Sequence, residues 1–129
     1  MNRSAELTYE RIDETALMAT RYLSSAMGAA IYFVGVVRGT EGASPISTLE
    51  YEAHEEMARH QFDLIFRQIE RRWPVERVRV VHRLGAVPVN EASLWVEVIA
   101  PHRGEAFAAC QFLIEEMKRV VPIWKNPIG

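Results

Sequence analysis

The chain has 129 residues, with 15 Lys+Arg against 17 Asp+Glu, 49% hydrophobic residues and one Cys, which fits a single globular domain, residues 1–129, with a core of its own. That composition excludes a disordered chain, a collagen and a disulfide scaffold, and a formal charge of −2 gives no general attraction to nucleic acid or an anionic membrane. The longest nearly apolar run, Ala26 to Val37, is 12 residues and holds two glycines, short of the roughly 20 that cross a bilayer.

The N-terminal residues lack the apolar core of a secretory signal. Cys110 is the only cysteine, which agrees with a reducing, cytoplasmic setting. Residues 5 to 12 read as extended, and Asp13 is suited to cap a helix running to about Ser25, with Ala16, Leu17, Thr20, Leu23 and Met27 at helical spacing. Ala29 to Arg38 is rich in β-branched and aromatic residues and reads as a central strand. Gly39 to Ser47 holds Gly, Ser and Pro45 and reads as a loop. In Thr48 to Ala53, Leu49, Tyr51 and Ala53 alternate with Glu50 and Glu52, the pattern of a strand with one wet face.

His54 to Trp73 predicts the clearest helix: Ala58, Phe62, Ile65, Ile69 and Trp73 step by three or four, and Pro74 ends it. Val75 to Leu84 alternates again, Gly85 to Glu91 reads as a turn region, and Ala92 to Ala100 as a further strand. A last helix starts near His102 with Ala106, Cys110, Leu113, Met117 and Val120 along its buried stripe. Pro122 stops it and Ile123 to Gly129 reads as a short tail. The order β-α-β-β-α-β-β-α without repeats or linkers is that of one α+β domain.

Of the 15 basic residues 13 are Arg, and the only lysines are Lys118 and Lys125. A lysine amine can lose its proton and attack a carbonyl, whereas a guanidinium effectively cannot. Pro101-His102-Arg103-Gly104-Glu105 opens a helix directly after a strand, and is either a solvated helix start or a place where free N–H groups and cationic side chains face an anion. Arg38 ends the Phe33-Val34-Gly35-Val36-Val37-Arg38 strand. His54, His60, His82 and His102 have no partners at metal-ligand spacing, and no Walker loop, dinucleotide fingerprint or serine-hydrolase elbow is present. No metal and no cofactor is expected.

The segments Phe33-Val34-Gly35-Val36-Val37-Arg38, Leu49-Glu50-Tyr51-Glu52-Ala53, Val81-His82-Arg83-Leu84-Gly85, Ala100-Pro101-His102-Arg103 with Ala106-Phe107, and Lys118-x-x-x-Pro122-Ile123-Trp124-Lys125 together resemble the large, catalytic subunit of molybdopterin synthase, from about residue 5 to Lys125. The His-Arg pair followed by Lys-x-x-x-Pro-x-Trp-Lys is the specific part. The resemblance implies an α/β hammerhead-type fold with an antiparallel sheet and three main helices. It implies a homodimer within a heterotetramer, each end binding a small ubiquitin-like sulfur-carrier subunit whose Gly-Gly C-terminus is activated as a thiocarboxylate. The implied reaction is sulfur transfer from that tail, in two rounds, to cyclic pyranopterin monophosphate, giving the dithiolene of molybdopterin. Lys118 matches the family's principal active-site lysine and Lys125 its second; Arg38, His102 and Arg103 match residues that hold phosphate and pterin.

Two departures accompany the match. The family commonly continues past the Trp-Lys pair, so the tail ending at Gly129 is short or truncated, and the loop 39–47 lacks the Asn or His many relatives place after the arginine, so no site residue is assigned there. The alternative function is a noncatalytic anion-binding or partner-binding domain of the same fold.

Overall fold

The computed structural model describes residues 1–129. Four strands form the main sheet: β1 (Asn2–Thr8), β2 (Ala29–Val36), β6 (Arg77–Arg83) and β8 (Ala92–Ala100), in the order β1-β6-β8-β2. Pairing is antiparallel throughout except for β1 and β6, which run parallel. Between them come α1 (Glu14–Ala19), the hairpin strands β3 (Thr40–Glu41) and β4 (Ser44–Pro45), β5 (Thr48–Ala53) and α2 (Glu55–Arg72). The remaining elements are β7 (Gly85–Pro88), α3 (Arg103–Val120) and β9 (Ile123–Ile128). A second sheet, β7-β5-β9, is antiparallel. No helix is long and apolar enough to cross a membrane.

The period-2 pattern of β6 and β8 sorts their side chains onto two buried faces. Val78, Val80, Leu94, Val96, Val98 and Ala100 meet α2 and α3 in the main core, which includes Phe62, Ile65, Ile69, Ala109 and Leu113. The opposite face carries Arg79, Val81, Trp95 and Glu97 and is covered by α1 and Ile12. α2 spans nearly the expected range: the His54 imidazole accepts from the Met57 N–H at its start, Glu55 and Glu56 lie in its first turn, and Arg71 and Arg72 in its last, as the helix dipole favours.

Four expectations need correction. The first helix ends at Ala19, not Ser25, because Arg79 and Arg77 take the carbonyls of Leu17 and Thr20 at 2.9 and 3.1 Å and the Thr20 hydroxyl turns back on Leu17. β2 is an edge strand, not a central one; its apolar residues pair only with β8. The loop 39–47 folds into a two-residue-strand hairpin that turns at Gly42, φ 61°. The turn region and the tail contain strands β7 and β9, which flank β5 on either side.

Candidate active site

The chain reverses after α3 through Val121 and Pro122, and the Ile123 N–H returns to the Val121 carbonyl at 2.8 Å. β9 then runs back along β5, with Lys125 opposite Tyr51 and Trp124 opposite Glu52. This return brings Lys118, in the last turn of α3, and Lys125, on β9, to the wall of one cavity of about 380 Å³. The volume lies within the range typical of small-ligand sites. The chain's only two lysines therefore share a cavity, although six residues lie between them along the chain.

The other walls come from both sheets. Phe33, Gly35 and Val36 belong to β2, Ser93 and Leu94 to β8, Tyr51 to β5 and His82 to β6. A bulge between Gly35 and Val36 interrupts the alternation, which lets two successive residues line the same space. A Cβ on Gly35 would stand 3.3 Å from the Leu94 Cβ and 3.4 Å from the Phe33 ring, so a side chain there would crowd this wall. The polar groups are themselves placed: the Tyr51 hydroxyl donates to Ser93 Oγ at 3.3 Å, and the Ser93 hydroxyl donates to the Gly35 carbonyl at 3.4 Å. Trp124 is held at the rim by its indole N–H, which donates to Glu52 at 2.8 Å, where Asn126 also donates at 3.2 Å.

Lys118 has no ion-pair or hydrogen-bond partner within the chain, and Lys125 has one, the Glu41 carboxylate at 3.1 Å from the β3–β4 hairpin. Two ammonium groups between apolar walls suit an anionic ligand, because attraction strengthens as water is displaced. Cys110 is no source of sulfur chemistry: burial among the α3 stripe pushes its thiol up to about 11, which keeps it protonated. No three His, Cys, Asp or Glu side chains converge as a metal site would need.

The other expected site residues do not line this cavity. Arg38 is exposed two residues beyond Val36, and His102 and Arg103 are exposed at the start of α3. From Arg103 to Lys118 the helix rises roughly 22 Å, so a single chain separates the cations into two groups. His102 caps α3 without a side-chain bond to a backbone N–H; its Nδ1 lies 3.4 Å from the Glu105 carboxylate in the first turn.

His82, Tyr51 and Ser93 also line the cavity and Glu41 pairs with Lys125, although the sequence reading gives none of them a site role. His82 sits in an alternating strand where burial reads as packing, and Glu41 lies in a segment without periodicity. His82 is buried, its ring edge-on to Tyr51 with centroids 5.0 Å apart. Its Nδ1 is 2.8 Å from the Arg83 carbonyl; a carbonyl only accepts, so Nδ1 carries the hydrogen and Nε2 the lone pair. Burial lowers its pKa against the opposing pull of that carbonyl, which favours the neutral ring.

The profile of the MoaE protein family matches residues 7–120. A protein from Nostoc sp. PCC 7120 named molybdopterin synthase catalytic subunit is 43% identical over 103 residues, covering 79% of this chain and 62% of that protein. A Drosophila grimshawi protein of the same name is 39% identical over 107 residues, and this chain spans only 30% of its length. The crystal structure of molybdopterin synthase from Staphylococcus aureus superposes with a TM-score of 0.87 at 32% identity, covering 95% of this chain and 89% of that one. The same fold, at a TM-score of 0.78 and 22% identity, occurs in a Helicobacter pylori complex of subunits 1 and 2 of molybdopterin-converting factor, covering 95% and 83% of the two chains.

Proposed function

The chain belongs to the MoaE family of molybdopterin synthase catalytic subunits, and from that premise we propose that it transfers sulfur to cyclic pyranopterin monophosphate from the thiocarboxylate tail of a small ubiquitin-like carrier. The observation that carries this reading is the convergence of Lys118 and Lys125 in one half-apolar cavity. A substrate phosphate and an incoming thiocarboxylate are both anions, and the two ammonium groups offset them. The carrier's terminal glycines let its backbone approach the lysines through a narrow channel where a side chain would collide. The thiocarboxylate sulfur bonds to a substrate carbon as a carbon–oxygen bond at that carbon breaks and the oxygen leaves with its electron pair; the resulting thioester joins substrate and carrier, and water then cleaves the acyl–sulfur bond. The H. pylori assembly of two subunits supports a partner of this kind.

In this reading Lys118 moves protons at the reacting groups and Lys125 holds the anionic end, while Arg38, His102 and Arg103 bind phosphate and pterin. A homodimer reconciles that set with the geometry. β2 leaves one edge of the main sheet unpaired, with Phe33 and Val36 exposed along it, and a second copy can present His102 and Arg103 to the cavity when its own helix cannot.

The test mixes purified protein, thiocarboxylated carrier and cyclic pyranopterin monophosphate and follows the dithiolene product by mass spectrometry. Product is expected with the unaltered chain. Carrier binding without any product would leave the noncatalytic binding domain as the function. Co-expressing Lys118→Ala and Arg103→Ala copies should restore part of the activity that each loses alone. No recovery in mixed dimers would confine the site to one chain.

A further inference from the structure

We propose that the imidazole of His82 is the base that activates the water in the hydrolytic half of the reaction. The inference rests on the sulfur-transfer reading and assigns a step in it to a residue of the cavity wall that is neither lysine nor arginine. His82 lies on β6, buried on the wall that also holds Lys118 and Lys125. The bond from Nδ1–H to the Arg83 carbonyl, 2.8 Å, sets the tautomer and the ring angle, and the Tyr51 ring packs against it at 5.0 Å. Nε2 has no hydrogen-bond partner in the protein, and His82 lines the cavity. The result is a lone pair of fixed tautomer on a residue of the cavity wall, whose other ionisable lining groups are Lys118, Lys125 and the Tyr51 phenol.

A lone pair in this position has two candidate protons. An ordinary ammonium holds its proton about four pH units more tightly than an ordinary imidazole does, and burial weakens the imidazole further. Stripping a lysine is therefore unfavourable. A water attacking a thioester becomes acidic as its oxygen bonds to carbon, and a base of this strength suits that task.

The water oxygen bonds to the carrier's terminal carbonyl carbon while one water proton passes to His82 Nε2. The tetrahedral oxyanion is offset by the lysine ammoniums. Its collapse breaks the carbon–sulfur bond: sulfur leaves with the electron pair as a thiolate on the pterin product, and the carrier departs as a carboxylate after losing the second water proton to solvent. The imidazolium then returns its proton to solvent.

His82→Asn is the discriminating variant, because the Asn amide can still donate to the Arg83 carbonyl while nothing remains at the Nε2 position. Single-turnover reactions are followed by intact mass, with melting temperature and carrier affinity measured in parallel. The expected result is a melting temperature and carrier affinity near the unaltered values, a hydrolysis rate about 100-fold lower, and accumulation of the carrier–substrate thioester. The acidic limb of the hydrolysis rate, below the ordinary imidazole pKa, should vanish with it. If His82→Asn does not fold, His82→Gln, whose amide reaches the Nε2 position without a basic nitrogen, takes its place and should accumulate the same adduct. Turnover at the unaltered rate, or a slower rate with no adduct and an unchanged pH profile, would overturn the proposal. Absence of product from the unaltered protein would instead overturn the sulfur-transfer reading itself.

Discussion

Two groups of charges lie on this domain, and they are built in opposite ways. On the α1 side of the main sheet, Glu97 is fully buried and accepts from Arg79 Nε at 2.6 Å, from its terminal nitrogen at 2.9 Å and from the Tyr32 hydroxyl at 2.6 Å. Arg79 spends its other donors on α1 and stacks over Trp95 at 4.9 Å. In the cavity, by contrast, Lys118 has no partner within the chain. Charge satisfied from within fastens α1 to the sheet; charge left unsatisfied at a cavity wall is available to a ligand. The sequence singles out the lysines by their rarity but gives no sign that Arg79 and Glu97 pair.

The largest effect should come from breaking the closed network. Glu97→Ala leaves the Arg79 guanidinium buried beside Arg77 without its anion, and removal of one partner of a buried pair costs about 3–5 kcal/mol. Chemical denaturation should show that loss, with α1 the first segment to lose hydrogen-exchange protection. The same network sets an acid limit. Burial raises the Glu97 pKa, but the bonds from Arg79 and Tyr32 and the charges of Arg79 and Arg77 outweigh it and leave it below the ordinary value of 4.5. A depressed carboxyl contributes stability that is complete above that ordinary value and is lost as pH falls through the depressed one. Glu97→Gln should flatten this part of the stability–pH curve. An unchanged acid limb would mean that other carboxylates control it.

Next comes the open group. Lys118→Arg keeps a positive charge at the wall but replaces an amine that can pass a proton to a reacting group with a guanidinium that effectively cannot. Substrate binding should survive while turnover falls at least about 100-fold, the lower end of general acid–base contributions. Near-native turnover at saturating substrate would reduce Lys118 to an electrostatic anchor. If Arg38 holds the phosphate as proposed, Arg38→Lys should act on affinity instead, raising KM several-fold with little change in kcat.

The same contrast explains what the sequence could reveal. α2 and α3 are legible because their apolar stripes are continuous, β5 because its apolar and acidic residues alternate, and β8 because it is an apolar run buried almost throughout. β9 is not: five of its six residues are exposed and it includes Asn126 and Pro127, so only pairing with β5 makes it a strand. β7 is four residues long and ends at Pro88. β2 looks central because its apolar residues read as buried, yet an edge that a second copy can cover has the same composition. At the site, the two lysines stand out against 13 arginines and carry a family pattern, whereas His82 is hidden in the alternation of β6 and Glu41 in a glycine-rich hairpin.

Glu41 gives the finest division between the two kinds of charge, because it closes half of the open group. Its carboxylate reaches Lys125 at 3.1 Å from a hairpin that has only its own short ladder to hold it, and both side chains are partly exposed. Such pairs are worth about 0.2–1 kcal/mol, so an incoming anion can displace Glu41 at small cost. Glu41→Gln removes the competing charge while keeping the side chain's length. Affinity for the substrate phosphate should then rise about two- to fivefold, the range that this energy allows, while the melting temperature stays within a degree or two. Binding measured by calorimetry at low and high salt separates the alternatives. If the gain vanishes at high salt, Glu41 acts as an electrostatic competitor. If affinity falls at both, the carboxylate positions Lys125 for its ligand, and the cavity is more nearly closed than the free Lys118 implies.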